Sequence, residues 1–416
     1  MRFLILSQYY PPEVGAAQVR LHNFAKVLVK LGHEVSVQTA LPNYPAGRIF
    51  AGYRGKSYAR EVIDGVAVER SWIYPVSTAG MRRMLAYGSF QLGSFWPLLK
   101  KIRTWKPDYL FVESPPLFLG LTAMALQRLT GVPFIFNVAD LWPDWAVEMG
   151  VIEKDSVYYK LAHRLEHDTY RASAYVNIVV NNMKPALLDK GVPEDKILFL
   201  PNGVDLELFS PDHRPLQSKV AREVQRRYGD KRIVLYAGTH GKYHGLEVAI
   251  DAAAQLQRRQ DILFLFVGDG AEKAHLIDYA GQHQVQNVAF YDPVPPEVVA
   301  ELLQLSRIAL SVIQIPTRAA KIFPAMASAK PIVYAGIGEG AELLEEAGAA
   351  LVVAPRDAQG VAKAVEALLD DPSLAAALGC RGRRYVEDHL SWQALVDKWL
   401  EQLNEGKPHP TSRPLL

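Results

Sequence analysis

Short, continuously apolar runs alternate with segments of helical spacing along nearly the whole chain. Residues 3–6, 35–39, 109–112, 134–138, 175–180 and 197–200 read as buried strands. The segments between them, such as 19–31, 120–129 and 157–171, repeat their apolar positions at the spacing of one helix face. The rhythm restarts at Ile233 and runs through 263–267, 288–290, 308–312, 331–334 and 350–353. Strands apolar on both faces, alternating with helices, predict parallel sheets covered on both sides. Two rounds predict an α/β protein of two doubly wound domains. A turn at Pro201-Asn202-Gly203 and a polar, Arg-rich stretch before Arg232 separate the rounds. Residues 1–205 are therefore assigned to a first domain and 206–390 to a second; 391–416 hold a helix near 393–403 that crosses back, then a frayed tail. Ligands of open α/β sheets bind at the carboxyl ends of strands, so the site is expected between the two domains.

Composition narrows the class. A chain of 416 residues, 22% charged and 49% hydrophobic, has the makeup of a folded protein and the length for two cores. A net charge of +2 offers no surface dedicated to nucleic acid. The lone Cys380 forms no intrachain disulfide, and no Cys/His cluster has zinc spacing, which favours a reducing, cytoplasmic setting. The chain begins directly on a strand pattern, so no signal peptide is expected. The longest uncharged run, 84–99, carries Gly88, Gly93 and Pro97 and is short for a membrane span.

The candidate chemistry gathers where strands end. The run 233–237 breaks into Gly238-Thr239-His240-Gly241-Lys242, the run 263–267 ends in Gly268-Asp269-Gly270, and Lys321 opens a helical segment. A glycine turn closing a buried strand lets backbone N–H groups and a helix N-terminus face an anion with no side chain in the way. Two such turns and a lysine read as a diphosphate site. Lys321 and Lys242 are the cations available to offset charge on a departing nucleoside diphosphate, against the plainer reading of solvated surface lysines. Val294, beyond the run 288–290, is grouped with them. Glu339, in Gly336-Ile337-Gly338-Glu339-Gly340, suits sugar hydroxyls while the N–H groups around Gly338 face phosphate; it equally suits a helix start favoured by the dipole.

In the first round, Gly15-Ala16-Ala17 fits either close approach to a sugar or phosphate or a plain tight turn. Tyr9-Tyr10-Pro11-Pro12 stands where a dinucleotide fingerprint needs glycines, which disfavours a dehydrogenase. Asp140 follows a buried strand, where it can hydrogen-bond a donor sugar or order an acceptor hydroxyl, or else cap the next helix. No Asp-x-Asp pair sits at a strand end, so neither a metal ion nor another cofactor is expected. From Ser71 to Lys106 there are six basic residues and no acidic one, interleaved with aromatic residues. That is the composition of a segment lying on an anionic membrane surface, with Arg82, Arg83, Lys100 and Lys101 as its contacts; an ordinary packed amphipathic helix has the same composition.

These residues carry a family resemblance. Ser7-Gln8-Tyr9-Tyr10-Pro11-Pro12-Glu13, Gly32-His33-Glu34-Val35, Leu41-Pro42-Asn43-Tyr44-Pro45, Asp140-Leu141-Trp142-Pro143-Asp144, Pro201-Asn202-Gly203-Val204-Asp205, the Gly238 and Gly268 turns and Lys321-Ile322-Phe323 occur in order. The chain resembles a family 4 glycosyltransferase of the GT-B fold, nearest to the bacterial group that builds colanic acid and O-antigen. The resemblance implies two Rossmann-like domains facing each other across a cleft, transfer with retention, and a nucleotide-sugar donor. It also implies a lipid-linked, polyprenyl-diphosphate or glycan acceptor at the inner face of the cytoplasmic membrane. Asp140, Lys321 and Glu339 would then be catalytic, and Gly15, Ala16, Gly238, Thr239, Gly241, Lys242, Gly268, Asp269, Val294 and Gly338 would bind the donor. The chain departs from the family at Pro324, where relatives hold ribose with a glutamate, at Pro316 in place of a partner glutamate, and at Ala319-Ala320, Ala329 and Thr239. A proline inside a helix removes a backbone hydrogen bond, so a degenerate GT-B scaffold protein is the competing expectation; a sugar-nucleotide epimerase fits the acceptor-side features less well.

Overall fold

The structure is a computed structural model that describes residues 1–13, 15–44, 47–76, 81–148, 152–315 and 320–405. In the first part of the chain, β1 (Arg2–Leu6), β2 (Glu34–Ala40), β3 (Tyr58–Ile63), β4 (Val66–Ser71), β5 (Tyr109–Ser114), β6 (Phe134–Val138), β7 (Tyr175–Ile178) and β8 (Ile197–Phe199) form one sheet in the order β3-β4-β2-β1-β5-β6-β7-β8. In the second part, β9 (Arg232–Ala237), β10 (Ile262–Val267), β11 (Val288–Tyr291), β12 (Ser306–Val312), β13 (Ile332–Ala335) and β14 (Ala350–Val353) pair in the order β11-β10-β9-β12-β13-β14. Central strands such as β5 and β10 are buried at every position, which is why they read as unbroken apolar runs.

All pairings are parallel except β3 with β4. This antiparallel edge hairpin corrects the expectation of wholly parallel sheets. It closes through Asp64 and Gly65, both at positive φ (46° and 81°), the geometry an Asp-Gly hairpin turn demands. β3 alternates between exposed and half-buried positions and β4 ends in Glu69-Arg70-Ser71, so neither has the unbroken apolar run of β5 or β10, and neither is among the strands the sequence predicts.

By internal packing the chain divides into two compact units, Met1–Asn202 with the residues from Leu395 onward, and Gly203–Ala394. The helix Trp392–Glu405 is split between them for a physical reason. Trp399 is fully buried in the first unit, its ring 5.0 Å from Phe24, 5.9 Å from Phe3 and 6.1 Å from Phe111, and its indole N–H donates to Asn177 Oδ1 at 2.9 Å. No helix among the described residues is long and apolar enough to cross a membrane.

Candidate functional site

At the carboxyl ends of β9 and β10 the two glycine turns lie against each other. The Gly238 N–H donates to the Val267 carbonyl and the His240 N–H to the Asp269 carbonyl, both at 2.9 Å, and the Glu272 N–H returns to the His240 carbonyl at 3.0 Å. A Cβ at Gly268 would strike the Gly238 carbonyl oxygen, and one at Gly270 the His240 carbonyl oxygen. Close backbone approach, rather than turn propensity alone, requires glycine at both positions.

Lys321 comes to the same turn. A Cβ on Gly238 would lie 3.0 Å from Lys321 Nζ. The ammonium donates to the Tyr236 hydroxyl at 2.5 Å and lies 4.1 Å from the centre of the Tyr236 ring, while that hydroxyl donates to the Thr239 carbonyl at 2.7 Å. Burial lowers the Lys321 pKa to about 7. The ring face favours the charged form, but loss of water outweighs it. A lysine near its midpoint at neutral pH gains charge when an anion arrives.

His240 is fully buried against Tyr236 and Phe290, and neither ring nitrogen has a partner. Burial first, then Lys273 and Lys321, lower its pKa to about 4; burial and then Lys321 do the same to His244. Both imidazoles are neutral at pH 7, so lysines carry the positive charge here. Thr239, Lys242 and Asp269 are exposed on the turns, Gly241 is half-buried between them, and Val294 is half-buried in the turn after β11. Gly338, at φ 80°, stands at the N-cap of the helix Glu339–Glu346, which Glu339 opens.

The structure corrects the reading of Pro324. Lys321 is the N-cap of the helix Ile322–Ala327, so Pro324 lies in its first turn, where a backbone N–H has no intrahelical acceptor. No hydrogen bond is lost there. Ala329 follows the same helix at φ 51°, the left-handed conformation glycine would take without strain. Pro316 and Ala319 lie outside the described residues.

In the first unit, Gly15 precedes the helix Ala16–Lys30 and its carbonyl accepts the Val19 N–H at 3.1 Å. Arg20, on that helix, pairs with Glu113 and donates to Asn202 Oδ1 at 3.3 Å. Asn137 donates to the other Glu113 oxygen at 2.6 Å, and Asn177 donates to Asn137 at 2.5 Å. Glu113, Asn137 and Asn177 are the penultimate residues of β5, β6 and β7 and stand side by side in register. Burial raises the Glu113 pKa, with Arg20 the main opposing charge. Asp140 lies two residues past β6. Its surroundings raise its pKa by burial against the pull of Arg20, an effect limited because the residue is exposed. The next helix, Asp144–Glu148, begins too far along for Asp140 to cap it.

Residues 15–203 match the family described as "Glycosyl transferase 4-like domain", and residues 217–385 that described as "Glycosyl transferases group 1". The chain is also 30% identical over 310 residues, 73% of its own length and 75% of the relative's, to the putative colanic acid biosynthesis glycosyl transferase WcaI of Escherichia coli (strain K12). The chain belongs to the glycosyltransferases. Among solved structures it resembles Anabaena HepE in complex with UDP, with TM-score 0.68, 15% identity, and coverage of 97% of this chain and 100% of that one. WaaG, described as a glycosyltransferase involved in lipopolysaccharide biosynthesis, gives 0.63 at 15% identity, with 95% and 98% covered. At such identity these show the fold, and the fold is GT-B.

The glycosyltransferase's basic segment forms the helix Met81–Trp105, which carries the four expected membrane contacts. Lys101 donates to Glu69 at 3.0 Å and covers the Trp105 ring, while Arg83 lies 5.9 Å from the centre of the Tyr87 ring. Lys100 is exposed, and the Arg82 side chain lies outside the described residues. Leu85, Leu92 and Trp96, 60%, 79% and 71% exposed, form a stripe at helical spacing that leads to Lys100 and Arg103. Sequence reasoning counted Trp96 among the aromatic residues of this segment but missed Leu85 and Leu92, as it missed Tyr236 and the Arg20–Glu113 network. For the network a signal existed: one glutamate and two asparagines near the ends of otherwise apolar strands.

Proposed function

We propose that this glycosyltransferase moves a sugar, with retention and without a metal ion, from a nucleoside-diphosphate donor to a lipid-linked or glycan acceptor. Its setting would be the assembly of a cell-surface polysaccharide at the inner face of the cytoplasmic membrane. The observation that carries the reading is Lys321 held on the Gly238–Thr239 turn, which places a cation at the glycine turn that closes β9. That set matches a diphosphate leaving group, whose negative charge grows as the glycosidic bond breaks. The presence of UDP in the HepE structure supports the donor class, and the name of WcaI supports the pathway class. Retention rests on the family resemblance. The backbone at Pro324 lends no support to a degenerate scaffold, because the first turn of its helix tolerates proline; the missing glutamate bears on donor affinity, which the binding panel below measures.

Calorimetry with a panel of UDP-, GDP- and TDP-sugars tests the donor assignment, and at least one should bind. Turnover with that donor should survive EDTA. Absence of binding across the panel supports the scaffold reading, and EDTA inactivation reversed by magnesium overturns metal independence.

A further inference from the structure

The turns at the carboxyl edge of the first sheet hold side chains that donor chemistry leaves unused. Tyr9, after β1, and Tyr44, after β2, have ring centroids 5.4 Å apart. Arg83, in the first turn of the helix Met81–Trp105, lies 5.9 Å from the centre of the Tyr87 ring and draws the Tyr9 pKa down against the effect of burial. Tyr87 in turn lies 6.3 Å from Phe118, after β5. Among the described residues, the titratable groups that bear on Arg83 are the tyrosines Tyr87, Tyr9 and Tyr44, and the residue remains exposed. Such an arginine keeps its forked N–H groups for an incoming anion, whereas one paired with a carboxylate does not. The loop under Tyr9 is fixed from below. Buried Glu13 accepts the N–H groups of Asn43 at 2.7 Å and Tyr44 at 2.8 Å, which ties the two tyrosine-bearing turns together.

An exposed guanidinium ringed by tyrosines, on the edge of the sheet that carries Gly15 and Asp140, has the makeup of a phosphosugar site. Aromatic faces with a polar rim cover the apolar side of a sugar ring. We infer that Arg83, with Tyr9, Tyr44 and Tyr87, forms an acceptor subsite for a saccharide joined to a phosphate or diphosphate group. The guanidinium takes the phosphoryl oxygens, and the tyrosines take the sugar. The inference rests on the glycosyl-transfer reading above and moves Arg83 from the membrane surface to substrate recognition.

The test titrates the full chain, with UDP saturating the donor turns, against farnesyl diphosphate, farnesol and inorganic pyrophosphate. The parent should bind farnesyl diphosphate about tenfold or more tighter than farnesol. Arg83→Gln should lose about fivefold or more for the diphosphate probes alone, Arg83→Lys should recover part of the loss, and UDP affinity should stay constant. Pyrophosphate matching farnesyl diphosphate points to a soluble phosphosugar; a large preference for the farnesyl compound points to a lipid-borne one. Equal binding of farnesyl diphosphate by Arg83→Gln and parent overturns the subsite. So does a defect seen only as weaker sedimentation with phosphatidylglycerol vesicles. If UDP itself does not bind, the donor reading fails, and the Arg83 comparison is run on farnesyl diphosphate alone.

Discussion

Lys321 carries a pH dependence that its surroundings set. Burial holds its pKa at about 7, well below the ordinary 10.5, so in the free enzyme the ammonium is lost as pH rises through neutrality. A bound diphosphate favours the charged form and pushes that loss to higher pH. The donor kcat/KM should therefore fall above about pH 7, while kcat at saturating donor holds to higher pH. Lys321→Ala should lower kcat strongly and erase the limb, because the charge it meets is greatest in the transition state. Tyr236→Phe removes the oxygen that accepts from Nζ and should move the limb to lower pH. Full pH–rate profiles of the three proteins check this, and a limb unchanged in Lys321→Ala assigns it to another group.

Elements were legible in proportion to how local their signals are. β5 and β10 announce themselves because every residue is buried, and the Gly238 and Gly268 turns do so because they end such runs. β3 stayed hidden because only alternate positions are half-buried, though Asp64-Gly65 marked its turn. The Arg20–Glu113 pair joins residues 93 positions apart, and Lys321 reaches Tyr236 across 85, spacings that no local pattern encodes. Ala329 is a local departure with a measurable cost. At φ 51° an alanine is strained by about 1–2 kcal/mol, and glycine at the same place returns part of that as extra unfolded-chain entropy. Ala329→Gly should thus stabilise the protein by about 0.5–1 kcal/mol in urea unfolding. A loss of stability would show that the methyl group's packing exceeds the backbone strain.

At the scale of the whole molecule, the proposed lipid-linked acceptor calls for a face that would meet a membrane. Basic composition pointed to Arg82, Arg83, Lys100 and Lys101, yet Lys101 is committed to Glu69 and Arg83 lies beside Tyr87. The solvent-facing stripe instead joins Leu92 and Trp96 to Lys100 and Arg103. A face of that kind inserts its apolar side chains at the headgroup boundary and sets its cations against anionic lipid, at about 1 kcal/mol per charge. Lys100→Gln with Arg103→Gln should therefore weaken sedimentation with phosphatidylglycerol vesicles by roughly tenfold or more, and less so at high salt, where screening has already removed the attraction. Trp96→Ser should weaken it at every salt concentration, since its contribution is burial of apolar area. Lys101→Gln should leave binding close to that of the parent, because its ammonium already serves Glu69. Equal sedimentation of the Lys100/Arg103 pair and the parent would remove this face as the anchor, and a large loss in Lys101→Gln would return the contact to the part of the helix that composition first suggested.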